Sequence, residues 1–307
     1  LRAVSARNPE MKRLPGVFAR GMAMGIADVV PGVSGGTLAL ITGIYEELIS
    51  SLANLHPRLL GLWRREGFRA FWQAGNFAFL FSLFAGIVTS IVLFARLMSW
   101  MLDHYPVPVW AFFCGLIVAS VVPVWRSLHE HKLRESIAFL CGIVAAGGIA
   151  LLPGLGHISL NPLVFLLSGA LAICAMILPG ISGSFILLLL GMYVPVLDAL
   201  RQGDWISIGA FVSGCAIGLL SFVHLLRWML RHWHDPIMAL LAGFMAGSLV
   251  KLWPWRWLPE QGGREQWLSP SEYASQAGDA MLLPALLALF AGMLVVALLF
   301  RADRRSN

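Results

Sequence analysis

Two short segments combine proline, glycine and hydroxyl residues within otherwise apolar surroundings. They are residues 31–36 (Pro-Gly-Val-Ser-Gly-Gly) and residues 179–184 (Pro-Gly-Ile-Ser-Gly-Ser). Proline lacks a backbone N–H and glycine accepts non-helical dihedral angles, so each segment is expected to interrupt a helix. Where a helix resumes, its first N–H groups lack intrahelical acceptors and lie at the positive end of the helix dipole. Such a position favours binding of an anion.

The side chains at these two breaks add to the predicted anion site. Glycine lets a bulky anionic group approach the backbone, and serine and threonine hydroxyls supply further donors. The alternative is that each motif merely kinks packed helices, with serine as a cap, but two copies favour a ligand site. The candidate phosphate-binding residues are Ser34, Gly35, Gly36, Thr37, Ser182, Gly183, Ser184 and Arg96.

Three ionisable residues lie in or beside apolar runs, where charge is costly and often functional. Arg96 lies deep in the run 77–102 and could donate to a phosphate, or it could extend toward the membrane interface. His224 occupies the equivalent position in an internal repeat described below. Asp28 precedes the first break and could pair with Arg96 or accept a coupling proton. Alternatively, Asp28 caps the broken helix or binds backbone N–H groups.

Composition excludes a water-soluble globule. Of the 307 residues 58% are hydrophobic and 12% are charged, whereas soluble domains have about 25% charged residues. The net charge of +6 does not indicate nucleic-acid binding, since the basic residues are spread between apolar runs. The four cysteines lack CxxC spacing and a nearby histidine, so we expect packing residues rather than metal ligands or disulfides. We expect no metal and no cofactor. We also expect the first apolar segment to be retained rather than cleaved as a signal peptide.

The apolar runs predict an all-α polytopic membrane protein. The runs on either side of each break are short, so 17–52 and 160–200 are each predicted to form a re-entrant helical hairpin. Six further runs approach the ~20 residues that a transmembrane helix needs. The predicted transmembrane helices are 77–102, 107–125, 136–152, 205–230, 236–253 and 280–300.

The chain contains an internal duplication. Residues 31–45 align with 179–193 at an offset of 148, and residues 97–115 align with 225–243 at an offset of 128, with 8 identities in 19 positions in the second alignment. The offsets differ because the first half has an extra segment within 53–76. That segment is basic and aromatic, and we expect it to lie along a membrane surface. The predicted halves are 1–157 and 158–307.

The number of helices in each half predicts that the two halves have opposite orientations in the membrane. Three transmembrane helices follow each hairpin, and an odd number inverts the second half. With the amino terminus in the cytoplasm, 17 of the 22 Lys and Arg residues lie inside, as topology rules require. We therefore predict an inverted repeat with both termini cytoplasmic. This architecture, with broken helices near the midplane, is typical of transporters that work by alternating access.

Several motifs resemble a bacterial family of polyprenyl-phosphate translocases, formerly a domain of unknown function. The resemblance covers essentially the whole chain. It is carried by the paired breaks, by residues 20–28 (Arg-Gly-Met-Ala-Met-Gly-Ile-Ala-Asp) and by residues 191–193 (Gly-Met-Tyr). It implies a flippase that returns undecaprenyl phosphate from the outer to the cytoplasmic leaflet of the bacterial inner membrane, for reuse as a carrier lipid in cell-wall synthesis. Whether transport is coupled to protons and whether the chain forms a homo-oligomer stay open questions.

Two alternatives have to be weighed. The breaks are also similar to the Pro-Gly-x-Ser-Arg-Ser-Gly motif of undecaprenyl-pyrophosphate phosphatases, but Gly35 and Gly183 replace its arginine. The first helix also lacks paired glutamates for acid–base catalysis. We therefore expect a transporter and not an enzyme. A small-anion transporter or channel could use the same helix starts, although the basic and aromatic segment within 53–76 favours a lipid substrate.

Overall fold

The computed structural model confirms an all-α polytopic fold. It describes residues 9–29, 34–56, 58–129, 131–152, 160–257, 266–276 and 278–306. The helices are α1 (Pro9–Val29), α2 (Gly35–Ile41), α3 (Tyr45–Ala53), α4 (Arg58–Glu66), α5 (Phe68–Ala74), α6 (Phe77–His104), α7 (Pro106–Arg126), α8 (Leu133–Leu151), α9 (Pro162–Ile177), α10 (Gly183–Leu189), α11 (Tyr193–Gln202), α12 (Trp205–His232), α13 (His234–Leu252), α14 (Pro270–Gln276) and α15 (Leu282–Ser306). A two-residue antiparallel pair, β1 (Arg256–Trp257) and β2 (Gln266–Trp267), precedes α14.

Within the described ranges, five helices are long and apolar enough to cross a membrane, namely α6, α7, α8, α12 and α13. The count becomes six if α10 and α11, which are bent by 100° at a short break, form one span. The apolar part of α15, Leu282–Leu298, is slightly shorter. These helices lie where transmembrane helices were predicted, with ends shifted by a few residues. Their outward faces carry large exposed apolar side chains such as Phe81, Val92 and Ile206, as lipid contact requires.

Local capping explains where several helices begin. Asn161 accepts a hydrogen bond from the backbone N–H of Val164 at 3.0 Å, and Pro162 occupies the first turn of α9. Asp204 accepts in the same way from Ser207 N at 3.2 Å at the start of α12. Asparagine, aspartate and an N-terminal proline are preferred at these positions because they satisfy or remove unpaired donors. The helix starts are thus encoded locally.

Glycines allow the helices that follow each break to pack closely on the helices that precede it. A side chain at Gly21 of α1 would overlap the carbonyl of Leu83 in α6. The same contact recurs between Gly169 of α9 and Phe211 of α12. These positions are related by the two offsets of the duplication, 148 for the glycines and 128 for the residues they contact. The two halves therefore share this packing contact.

The last long helix of each half packs on the other half. α8 packs against α13, where Gly243 lies against the carbonyl of Phe139. α15 packs against α7, where Gly115 lies against the carbonyl of Leu289. Gly115 and Gly243 are paired in the alignment at offset 128. This exchange of helices joins the halves into one core.

The segment within 53–76 forms two short helices, α4 and α5. Trp63 and Phe68 are more than half exposed, and the neighbouring Arg64 and Arg65 are exposed as well. The ring of Phe71 stacks on Phe77 with 4.8 Å between centroids, so α5 is held against the start of α6. The expected position along a membrane surface stays a prediction that suits these exposed basic and aromatic side chains.

Candidate functional site

The first break lies between α1 and α2. Of its residues, 30–33 with Pro31 lie outside the described part of the chain. Ser34 has an extended backbone, with φ −118° and ψ 133°, and its Oγ accepts a hydrogen bond from Gly36 N at 3.2 Å. Asp28 Oδ1 accepts from Gly35 N at 2.6 Å. The first donors of α2 are therefore bound by side chains of the protein itself.

The second break, between α9 and α10, is arranged differently. Gly180 has φ +83°, a conformation that other residues rarely adopt, so the chain can turn here. Ser182 precedes α10, but its hydroxyl does not accept from the backbone of that helix. It lies 2.9 Å from the hydroxyl of Ser184, which is exposed. This break thus presents two neighbouring hydroxyl groups.

The two breaks contact each other in the interior. Thr37 Oγ1 accepts a hydrogen bond from Gly180 N at 2.8 Å. Ser34 Oγ lies 3.1 Å from the carbonyl of Met176, to which it can donate. Ser34 is 1% exposed and Thr37 is fully buried. The structure therefore brings residues that are about 140 positions apart into one hydrogen-bonded junction.

Close approach at this junction depends on glycine and on one tyrosine. A Cβ atom at Gly36 would lie 2.6 Å from the carbonyl oxygen of Ile177. The same carbonyl accepts a hydrogen bond from the hydroxyl of Tyr45 at 3.2 Å. Tyr45 is 1% exposed and belongs to the main apolar core. The carbonyls freed by the end of α9 are thus satisfied by side chains of the first half.

A small cavity adjoins the second break and opens between α8, α10 and α13. Its polar lining groups include Ser182 and Ser248, and its one lining cation is Lys251. Lys251 Nζ lies 4.8 Å from the centre of the Phe185 ring, within cation–π distance. The lining residues are Ala146, Ile149, Ala150, Gly180, Ile181, Ser182, Phe185, Ser248 and Lys251.

The predicted site residues separate into those at the junction and those elsewhere. Ser34, Gly35, Gly36 and Thr37 are buried in the junction, and Ser182, Gly183 and Ser184 lie beside it. Arg96 is exposed on α6 next to the exposed Leu97, outside the lining of this cavity.

The two other ionisable candidates have contacts of their own. His224 Nδ1 contacts the carbonyl of Leu220 within α12. Asp28 binds the backbone N–H of Gly35, as one of its two interpretations expected.

Lys251 is a residue that sequence reasoning missed. It lies near the end of the predicted transmembrane helix 236–253 and is not among the residues predicted to bind phosphate. Nothing in the local sequence links it to Ser182 or Phe185, which are more than 60 positions away. The one signal in the sequence that could have drawn attention to Lys251 is the presence of a charged residue within an apolar run.

A second polar cluster lies where α3, α13 and the α7–α8 turn meet. Asp235 Oδ1 is 3.0 Å from His129 Nδ1 and 2.9 Å from His234 Nδ1. His234 Nε2 is 3.0 Å from Glu46 Oε1. His129, His234 and Asp235 have ligand atoms within 4.8 Å of one another and could hold a metal ion. In the structure they hydrogen-bond to each other, and the expectation of no metal stays a prediction.

Comparison with known proteins gives one family and two relatives. The model of the VCA0040-like family, described as undecaprenyl phosphate translocase-like, matches residues 24–265. A polyprenyl-phosphate transporter of Vibrio cholerae is 44% identical over 292 residues, covering 92% of this chain and 94% of that protein. A polyprenyl-phosphate transporter of Staphylococcus aureus is 31% identical over 255 residues, covering 76% and 84%. No solved structure matches.

Proposed function

The chain belongs to the undecaprenyl phosphate translocase-like family, and on that premise we propose that it is a transporter of undecaprenyl phosphate. In this proposal it moves the lipid from the outer to the cytoplasmic leaflet of the bacterial inner membrane. One observation carries the proposal: two broken helices meet through the hydrogen bond between Gly180 N and Thr37 Oγ1, inside an apolar helical protein. Irregular backbone at membrane depth is tolerated where it is surrounded by protein, and it is a feature of transporter sites.

The proposed architecture is an inverted repeat with two re-entrant hairpins, α1–α3 and α9–α11. Support comes from packing contacts that recur at the offsets of the duplication, such as Gly21 with Leu83 and Gly169 with Phe211. The 100° bend between α10 and α11 suits a hairpin that returns to the side from which it entered. With three long helices after each hairpin, the halves have opposite orientations and both termini are cytoplasmic.

In the proposed mechanism the phosphate head binds at the second break, next to the junction, while the prenyl tail stays in the lipid. A phosphate monoester needs several donors once it leaves water, because an unpaired charge is costly in the membrane. The hydroxyls of Ser182 and Ser184 provide such donors, and the apolar outer helix faces allow the tail to remain outside. Rocking of the halves about the junction then exposes the head alternately to each side.

We propose transport rather than hydrolysis. Gly35 and Gly183 stand where the related phosphatase motif has arginine. Within the described residues around the breaks, the nearby carboxylate is Asp28, and it is engaged with Gly35 N. A pair of free carboxylates for general acid–base catalysis is thus not formed by these residues.

The test is reconstitution of the purified chain in liposomes that contain undecaprenyl phosphate in both leaflets. A membrane-impermeant phosphatase added outside removes phosphate from the outer leaflet only, unless the protein brings inner-leaflet lipid out. We expect nearly complete removal with the wild-type protein. Liposomes without protein should keep the undecaprenyl phosphate of their inner leaflet. Liposomes with the variant Gly36→Val, which places a side chain against Ile177, should keep it as well.

Three outcomes would contradict the proposal. With folded wild-type protein, retention of the inner-leaflet share would exclude lipid transport. Release of inorganic phosphate from undecaprenyl pyrophosphate without added phosphatase would instead indicate an enzyme. Flux of inorganic phosphate across the same liposomes without lipid movement would favour a small-anion transporter.

A further inference from the structure

The two breaks differ in whether a carboxylate already binds their backbone donors. In the first, Asp28 Oδ1 accepts from Gly35 N at 2.6 Å, and the carboxyl group lies where a side chain at Gly35 would be. A phosphate placed there would meet a carboxylate at close range, and like charges repel strongly where water is scarce. The first break is therefore poorly suited to binding a phosphate.

The second break lacks this carboxylate. The position equivalent to Asp28 at offset 148 is Met176, and its Cβ lies 3.2 Å from the place of a side chain at Gly183. Methionine thus stands at the sequence position that aspartate holds in the first half, and it supplies no carboxylate there. Ser182 and Ser184 pair with each other here, and a hydroxyl pair can reorient to donate to an anion. This break has hydroxyl donors without a competing acid at that position.

A cation lies beside the second break. Lys251 lines the same small cavity as Ser182, and its Nζ lies 4.8 Å from the Phe185 ring centre. Lys251 belongs to the last turn of α13, which is otherwise an apolar helix. An ammonium group is costly to place in apolar surroundings. The corresponding position of the first half, at offset 128, is Pro123, so that half has no equivalent cation. A cation and the Ser182 hydroxyl thus line one cavity at the second break, and the Ser184 hydroxyl lies 2.9 Å from that of Ser182.

We propose that Lys251, Ser182 and Ser184 bind the phosphate monoester of the transported lipid, and that the first break acts as a fixed pivot. This inference rests on the proposed transport of a polyprenyl phosphate and specifies its recognition site. A lysine ammonium is a compact charge on a flexible stem, so it can follow the head group while the break moves. The hydroxyls of Ser182 and Ser184 donate to the remaining phosphate oxygens.

The experiment measures binding of undecaprenyl phosphate and of undecaprenol, the uncharged alcohol, to the purified full chain in detergent. Lys251→Gln should weaken binding of the phosphate by about ten- to a hundredfold, since a hydrogen bond to a charged group is lost. Binding of the alcohol should stay unchanged, and Lys251→Arg should retain most of the affinity. Arg256→Gln removes a cation close by in the chain, over the Trp110 ring, and serves as the matched control.

A second variant tests the difference between the breaks. Met176→Asp introduces the carboxylate that the first half has in Asp28, and it should weaken phosphate binding at least as much as Lys251→Gln. Met176→Leu should bind as the wild type does. Each variant is first compared with the wild type by elution profile and melting temperature, so that a loss of folding is seen separately.

The outcomes separate this inference from the proposed function. If the wild type binds undecaprenyl phosphate and Lys251→Gln binds it equally well, the recognition site is wrong while the transport proposal stands. Equal loss of phosphate and alcohol binding in Lys251→Gln also overturns the recognition site. If the wild type neither binds nor moves undecaprenyl phosphate, the proposed function itself fails.

Discussion

At the scale of single residues, two glycines allow close packing at the breaks, Gly36 against the end of α9 and Gly180 against α13. A side chain at Gly36 would lie 2.6 Å from the carbonyl oxygen of Ile177. One at Gly180 would lie 2.6 Å from that of Phe244, and Gly180 also has φ +83°. Added atoms at such positions force the backbone apart or strain it. The junction therefore depends on the absence of side chains as much as on its hydrogen bonds.

Replacing Gly36 by alanine tests this dependence. We expect Gly36→Ala to lower the free energy of unfolding in detergent by about 1–3 kcal/mol, because the methyl group overlaps a carbonyl of the other half. Gly148→Ala in α8 is the control, since nothing lies within 4 Å of the added atom. The control should raise stability by about 0.5–1 kcal/mol, because alanine favours a helix interior over glycine. Equal effects of the two substitutions would count against a close contact between the breaks.

Asp28 provides the second prediction at this scale. Asp28→Ala removes the acceptor for Gly35 N. We expect it to lower the free energy of unfolding by about 1–3 kcal/mol, because a buried donor is left unpaired. Asp28→Asn keeps an acceptor oxygen and should lose less. Asp198→Ala is the control, because Asp198 is half exposed and forms a 3.8 Å ion pair with the exposed Arg201. The measurement is the melting temperature of the wild type and of these three variants. Equal melting temperatures would refute a stabilising role of Asp28.

At the scale of elements, α3 is joined to the second half while its counterpart α11 is not joined in the same way. Arg227 of α12 donates to Asn54, just after α3, at 2.7 Å. The residues equivalent to this pair are Ser99 and Gln202. Glu46 of α3 also contacts His234 at 3.0 Å, whereas its equivalent is Val194. These contacts tie the end of α3 to α12 and its start to α13.

A double-mutant cycle of Asn54→Ala and Arg227→Ala tests the connection between α3 and α12. We expect a coupling energy of about 1–2 kcal/mol, because a partly buried hydrogen bond to a charged group is removed. The cycle of Asp198→Ala and Arg201→Ala should give a coupling energy near zero for an exposed pair. Additive effects of the Asn54 and Arg227 substitutions would show that the contact does not stabilise the structure.

At the scale of the whole molecule, the two halves share their packing contacts but exchange their last helices. α8 packs on α13, and α15 packs on α7. The contacts of Gly115 and Gly243 with these helices correspond at the offset of the duplication. Related halves that interlock in this way form a single core, and we expect α7, α8, α13 and α15 to move least in the proposed rocking.

The proposed topology predicts which surfaces face the two sides of the membrane. In a variant whose four cysteines are replaced by alanine, Gly61→Cys places a thiol on α4 and Ser271→Cys places one on α14, both at exposed positions. An impermeant maleimide should label Ser271→Cys in intact cells and Gly61→Cys only after the membrane is opened. Labelling of both from outside would exclude halves of opposite orientation.

Much of the fold follows from the sequence because its determinants are local. The length of an apolar run decides whether a helix can cross the membrane, and proline and glycine end helices through their own backbone properties. The helix starts at Pro162 and Trp205 follow from their capping residues Asn161 and Asp204. The duplication is visible because Trp100 and Trp228, or Gly115 and Gly243, recur at a constant offset.

The tertiary structure alone decided which of the predicted donors are still free to bind an anion. Motif and spacing predicted anion donors at both breaks, whereas packing buried Ser34 and Thr37 in a junction and directed Asp28 onto Gly35. It also brought Lys251 beside Ser182 and left Arg96 exposed on α6. Contacts between residues about 70 to 140 positions apart depend on how helices pack, and this packing follows from all the side-chain contacts together rather than from any local pattern.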